Sequence, residues 1–165
     1  MKKVIVGFSK PTTWKIGAEL EMWWTNCICS HVYLRYSDDQ NRDVVFQASH
    51  GTVHPQLTSN FLKENIAVKE FTLEFSPEEY QKMRDFYYNM MGEPYAYRDL
   101  VVIFIHDVFR KMGIHFNDKS VPGYVCSSLV ATMLTEVKGQ KFDRPINLIR
   151  PNDLLDLFNE IFKDN

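Results

Sequence analysis

One cysteine in the sequence occupies a position at which a thiol can react. Cys126 follows the chain-breaking residues Pro122 and Gly123 and lies in the first turn of a predicted helix, in the run YVCSSLVATML. Unpaired backbone N–H groups and the positive end of the helix dipole favour a thiolate at such a position. The same groups could stabilise an oxyanion after attack on a carbonyl. Since a cysteine there can equally be a small buried hydrophobe, a nucleophile also requires a nearby base.

The five histidines of the chain are the candidates for that base. His31 begins a predicted strand, where paired backbone on both sides can aim a side chain at a neighbouring helix. His106 lies within a predicted apolar helix and His115 follows it, which favours structural or surface roles. His54 precedes a proline, as expected of a strand end. We therefore predict that His31 is the base.

A catalytic imidazole needs a partner that orients it through its second nitrogen. Residues 28–36 and 43–49 predict a hairpin, and a turn centred on Asp39 would place Gln47 directly opposite His31 on the same face. The amide oxygen of Gln47 could then accept a hydrogen bond from the ring. His50 would fall on the other face unless a bulge intervenes. The alternative is that Gln47 is an ordinary polar strand residue.

A metal site is the competing interpretation of the same segment. Cys27, Cys29 and His31 alternate, so a regular strand would place them on one face, with Cys126 as a fourth ligand. A strand spaces such side chains too widely for three tetrahedral ligands, and structural zinc sites usually take cysteines from tight turns. We therefore expect no metal, and we assign Cys27 and Cys29 to buried packing. An extended chain would also make a bridge between them difficult.

The elements that position these residues predict an α+β fold. Residues 4–7 and 68–75 add strands to the hairpin. A capping box of Ser76, Pro77 and Glu79 begins a helix, and its predicted buried face is Tyr80, Met83, Tyr87, Met90 and Met91. Further helices are predicted from Asp99 to Gly113, from Cys126 to Val137 before Gly139, within RPNDLLDLFNEIF, and near Trp14, Leu20, Trp23 and Trp24. We expect a small antiparallel sheet packed against helices.

The composition is that of an ordinary globular chain. Its 165 residues, 45% hydrophobic and 24% charged, suit one domain with its own core. A formal charge of -2 without a basic run predicts no nucleic-acid partner. The longest apolar run, LVVIFI, is far shorter than the roughly 20 residues that span a bilayer. Because the N-terminus lacks a signal-peptide pattern and three cysteines cannot all pair, we expect a cytoplasmic protein.

Several motifs, in this order, resemble one known family. They are VGFSKPTTW at 6–14, SHVYL at 30–34, VVFQASHGTV at 44–53, GEPYAYRDL at 92–100, YVCSSLVATML at 124–134 and RPNDLLDLF at 150–158. The sequence resembles the circularly permuted branch of the NlpC-type papain-fold cysteine hydrolases, the YiiX-like proteins. In that branch the histidine precedes the cysteine along the chain. The resemblance implies that residues 1–165 form a single permuted papain-like cysteine hydrolase domain.

The resemblance also implies roles for individual residues. Cys126 matches the nucleophile, His31 the base and Gln47 the third polar position, where relatives often carry glutamate. Ser128 stands where many relatives carry a glutamate after the CS pair. The implied reaction is cleavage of an amide bond, in a bacterial cell-wall peptide, with no metal or organic cofactor. The partner expected on this basis is therefore a peptide substrate.

Two other functions stay open from the sequence. One is acyl transfer or lipid-ester cleavage, because a permuted branch resembling lecithin retinol acyltransferase has the same constellation and normally adds membrane-anchoring segments. The other is a non-catalytic binding module on the same fold, since Gln47 is neutral and a cell-wall substrate lies outside the cytoplasm. A phage-encoded protein that acts in the host or virion would remove that conflict. The oligomeric state is left open.

Overall fold

The structure is a computed structural model that describes residues 1–13, 18–19, 22–23, 26–94 and 125–163. The predicted helix after Asp99, with His106 and His115, lies outside the described residues, as do Pro122, Gly123 and most of the predicted tryptophan-rich helix. The strands are β1 Lys2–Pro11, β2 His31–Ser37, β3 Asp43–Ser49, β4 Thr52–Leu57 and β5 Asn65–Phe75. The helices are α1 Thr58–Glu64, α2 Pro77–Met90, α3 Cys126–Lys138 and α4 Pro151–Ile161, with a 3₁₀ turn at Ile146–Leu148.

The five strands form one sheet in the order β4-β3-β2-β1-β5. Every pair of neighbours is antiparallel, so the predicted α+β class with a small antiparallel sheet is confirmed. β1 is longer than predicted because it pairs with β5 along its whole length. The strand β4 was not predicted, since Pro55 interrupts it; a proline is tolerated there because β4 is an edge strand. His54 therefore lies within a strand, opposite Gln47, and not at a strand end as predicted.

Alternation along the strands gives the sheet two different faces. On the major face, Val32 and Leu34 of β2 join a large apolar core with residues of α2, α3 and α4. On the minor face, Tyr33 and Val45 pack with Phe61 of α1, a helix that the sequence did not predict. Because neighbouring residues on β2 face opposite sides of the sheet, they contact different helices. The face on which a candidate site residue lies therefore determines what surrounds it.

The helices α2 and α3 begin and end close to where the sequence predicted. The Ser76 hydroxyl accepts the Glu79 N–H, and the Glu79 carboxylate accepts the Ser76 N–H, which confirms the capping box. Met83 and Tyr87 are buried as predicted, together with Phe86, whereas Met91 lies beyond the last helical residue and is exposed. The helix α3 ends at Lys138 and is capped by Gly139, which has a φ of 67°.

The minor face includes an unusually close contact between a tyrosine ring and a glycine of the neighbouring strand. The Tyr33 ring lies directly over Gly7, the residue opposite it on β1, and a Cβ at Gly7 would overlap the ring. The Tyr33 hydroxyl donates to Glu70 of β5 over 2.7 Å. Burial first, and the Glu70 carboxylate second, raise the pKa of Tyr33 far above its usual range. Tyr33 thus ties three strands together beside the start of β2.

The described helices are all too short or too polar to cross a lipid bilayer.

Candidate active site

The side chains of His31 and Gln47 are joined by a hydrogen bond. His31 Nε2 lies 2.8 Å from Gln47 Oε1. The predicted register is nevertheless wrong by two residues, because Leu34 of β2 pairs with Phe46 of β3 and not with Val44. A shift of two keeps both side chains on one face, since the side-chain period of a strand is two. Gln47 therefore reaches His31 diagonally.

The hairpin loop explains the shift in register. The Asp38 carboxylate accepts the backbone N–H groups of Gln40 and Arg42, each over 2.9 Å. Asn41 adopts a left-handed conformation with a φ of 56°, which asparagine tolerates better than most residues. The loop is thus centred on Gln40, one position later than the Asp39 turn that the sequence suggested.

The two hairpin strands separate where the candidate residues lie. Backbone pairing between β2 and β3 runs from Ser37 back to Leu34 of β2. His31 of β2 and Gln47 of β3 lie beyond the last pair, where the two strands are not paired with each other. His31 still pairs with Ser9 of β1, which keeps its backbone fixed. The hydrogen bond between His31 and Gln47 therefore bridges an open end between two strands of the sheet.

A second hydrogen bond determines which nitrogen of His31 is basic. The Gln47 amide donates through Nε2 to Gln56 Oε1 over 2.9 Å, so its oxygen is the atom that faces His31. An amide oxygen only accepts, and His31 Nε2 must therefore carry a proton. The neutral ring consequently leaves Nδ1 as its basic nitrogen. Gln56 was missed in the sequence because its strand β4 was not predicted.

Burial supports the orientation of this hydrogen-bonded chain. Gln47 is 3% exposed, and an unpaired amide at such a position would be costly. The His31 ring lies beside Phe61 of α1, with 6.3 Å between centroids. Phe61 is fully buried and contacts the Tyr33 ring as well. The Gln47 hydrogen bond and the aromatic cluster of the minor face thus both hold His31.

Cys126 is the first residue of α3, as predicted, and is 4% exposed. The backbone N–H groups of the first helical turn have no acceptor within the helix. The Ser128 hydroxyl accepts the Val125 N–H over 2.9 Å and donates to the Val125 carbonyl. The Ser127 hydroxyl donates to the Ile149 carbonyl. The Ser128 hydroxyl therefore closes the first turn of the helix on its own N-cap, and the Ser127 hydroxyl ties that turn to Ile149.

The candidate residues approach the sheet from different faces. Cys126 belongs to the major-face core, which includes Val32 and Ala48. These two residues are the sequence neighbours of His31 and Gln47, whose own side chains lie on the minor-face side by alternation. The helix α3 packs on β2 and β3. The Cys126 helix and the hydrogen bond between His31 and Gln47 therefore both lie on β2 and β3, but on opposite faces of the sheet.

The other histidines of the segment have local partners. His50 lies in the turn between β3 and β4 with a φ of 48°, not on the far face of a strand. Its Nδ1 is 3.2 Å from the Ser49 hydroxyl. His54 Nδ1 is 3.2 Å from the Thr52 carbonyl oxygen, to which it donates. These contacts tie both side chains to their own turn.

Cys27 and Cys29 do not share a strand face with His31. The chain bends at Ile28 and again at Ser30, and β2 begins only at His31. The bend brings the two sulfur atoms to 3.2 Å, and the two cysteines are not joined by a disulfide. The predicted strand therefore begins at His31 and not at Ile28, while the predicted burial of Cys29 is confirmed. Among the described residues, no group of three or more His, Cys, Asp or Glu side chains could hold a metal ion.

Comparison of the sequence with protein-family models gives no match, and comparison with curated proteins gives none either.

Proposed function

We propose that the protein is a cysteine hydrolase of the permuted NlpC-type papain fold, which cleaves an amide bond through Cys126 and His31. The observation that carries the proposal is the hydrogen bond from His31 Nε2 to Gln47 Oε1. It leaves Nδ1 as the basic nitrogen of a ring whose backbone is fixed by strand pairing. A helix packed on the same strands presents a cysteine at its first position.

The reaction would proceed in two stages. In the first, His31 Nδ1 accepts the Cys126 proton and the thiolate attacks the substrate carbonyl carbon. N–H groups of the first turn of α3 stabilise the oxyanion. The intermediate then collapses, and His31 returns the proton to the departing amine. In the second stage His31 deprotonates a water molecule, which attacks the thioester and releases the acid and the free thiol.

The open end of the hairpin provides a route between thiol and imidazole. Cys126 lies in the major-face core and His31 on the minor-face side, so continuous backbone pairing would hold them apart. Because pairing between β2 and β3 stops at Leu34, the proton transfer would occur through the gap beyond it. Gln47 would serve there as a positioning residue that fixes the ring without adding charge.

The substrate class follows from the resemblance rather than from the site itself. We propose a bacterial cell-wall peptide, and a protein encoded by a phage or bacterium that meets this substrate in the host or virion. The reaction that we propose uses neither a metal nor an organic cofactor. No nucleic-acid contact is part of this proposal.

The proposal is tested by turnover of purified muropeptides and, separately, of acyl esters. We expect wild-type protein to release peptide fragments, with loss of activity in Cys126→Ala and His31→Ala and retention in Cys27→Ser. Cleavage of esters alone would favour the acyltransferase-type function instead. A folded wild-type protein that binds muropeptides without turnover would contradict catalysis and indicate a binding module.

A further inference from the structure

The segment before β2 brings two thiols together outside the candidate active site. Cys27 and Cys29 are separated by one residue, and their sulfur atoms are 3.2 Å apart. The backbone is held on both sides of the bend. The Cys27 N–H donates to the Met22 carbonyl over 3.0 Å, and the Ser30 N–H donates to Ser9 of β1 over 3.1 Å. The bend that brings the two residues together is therefore fixed by backbone hydrogen bonds on both sides.

The two thiols differ in their surroundings. Cys29 is 1% exposed and belongs to the major-face core, whereas Cys27 is only half-buried. The hydrogen bond from the Cys29 thiol lowers the pKa of Cys27 to about 7, against the opposing effects of burial and of the Asp156 carboxylate on α4. A thiol whose pKa lies near the ambient pH is well suited to attack a disulfide. Cys27 is thus the accessible member of the pair and Cys29 the shielded one.

We propose that Cys27 and Cys29 form a reactive dithiol, which low-molecular-weight disulfides oxidise to an intrachain disulfide. The Cys27 thiolate attacks one sulfur of the small disulfide, forms a mixed disulfide and releases one small thiolate. Cys29 loses its proton to solvent, and its sulfur attacks the Cys27 sulfur. This step releases the second small thiolate and closes the bridge. The protein loses two electrons and two protons, and the small disulfide is reduced to two thiols.

The closure requires only a small movement of the bend. A disulfide has a sulfur–sulfur bond of about 2.05 Å, and the two sulfur atoms begin at 3.2 Å. Rotation of the Cys27 side chain can supply most of the difference, because that residue is only half-buried. The proposal does not depend on the proposed hydrolase activity, since neither thiol has a role in it.

The experiment uses the Cys126→Ser protein, in which Cys27 and Cys29 are the remaining thiols. The protein is incubated with oxidised glutathione, quenched with acid and analysed by intact mass and peptide mapping. We expect loss of two hydrogen atoms and a bridge within the peptide that contains both cysteines. Cys29→Ser in the same background should instead stop at a stable mixed disulfide on Cys27, and Cys27→Ser should react much more slowly.

Three results would overturn the proposal. The first is a stable glutathione adduct in the protein that retains both thiols, because closure would then have failed. The second is no reaction, and the third is a bridge between two copies of the chain. If Cys29→Ser fails to fold, the time course of the Cys126→Ser protein alone decides, since a transient adduct must precede the closed bridge.

Discussion

Replacement of Gln47 by methionine should slow the reaction of Cys126 with an alkylating reagent. Methionine retains much of the volume of the buried side chain but provides no amide. The change removes the hydrogen bond from His31 Nε2, at 2.8 Å, and the bond to Gln56, at 2.9 Å. The His31 ring would then keep its packing against Phe61 but lose the hydrogen bond that orients Nε2. A less firmly oriented ring would present Nδ1 to the thiol for less of the time.

The magnitude follows from the value of one hydrogen bond. A bond of this kind contributes about 1 kcal/mol net, and each 1.4 kcal/mol of lost orientation slows a reaction about tenfold. We therefore expect Gln47→Met to slow alkylation by roughly five- to tenfold. The free energy of unfolding should also fall by about 1–3 kcal/mol, because the change removes both hydrogen bonds of the Gln47 amide.

The assay is iodoacetamide alkylation in a Cys27→Ser/Cys29→Ser background, so that Cys126 is the remaining thiol. Gln56→Met is the matched control, since it retains the acceptor for His31 and should slow the reaction less than threefold. Gln47→Glu also retains an acceptor and should stay close to wild type. Equal alkylation rates in Gln47→Met and wild type would refute the orienting role. An equal loss in Gln56→Met would refute it as well.

Three further predictions concern stability and are measured by urea unfolding. Gly7→Ala should lower the free energy of unfolding by about 1–3 kcal/mol, because the new methyl group overlaps the Tyr33 ring. The loss should be much smaller in a Tyr33→Ala background, and equal losses in both backgrounds would contradict the close contact. Ser76→Ala should cost about 1 kcal/mol, because the capping box of α2 loses its acceptor. The third prediction concerns Asp153, whose pKa burial raises but hydrogen bonds from Arg150 together lower more strongly. The pKa of Asp153 therefore lies below its usual range. Asp153→Asn should therefore destabilise the protein above roughly pH 4, with the difference from wild type lost as pH falls through the lowered pKa; a difference that persists in stronger acid would contradict this.

The sequence predicts the elements whose signals are local. The capping box at Ser76, the left-handed stop at Gly139 and the apolar period of α3 depend on nearby residues, and all three are found. The strand β4 and the helix α1 have no such signal. Pro55 interrupts the alternation of β4, and α1 has only seven residues, too few for a clear helical period.

In the candidate site too, features set by nearby residues could be predicted and features set by distant residues could not. Gln47 could be selected as the partner of His31 because a register error of two residues preserves the face of a side chain. The error itself came from the Asp38 contacts within the loop, which spacing alone does not reveal. Gln56 could not be found without β4, and the bend at Ile28 that joins Cys27 to Cys29 depends on pairing with β1.

The most direct test of the proposed hydrolase is the pH profile of Cys126 alkylation in the Cys27→Ser/Cys29→Ser background. If His31 activates the thiol, the rate should remain high well below the ordinary thiol range, about pH 8.5. His31→Ala should lose this reactivity at low pH while it keeps the reaction in alkali. Superimposable profiles for the two proteins, with both shown to be folded, would contradict the pairing of Cys126 with His31.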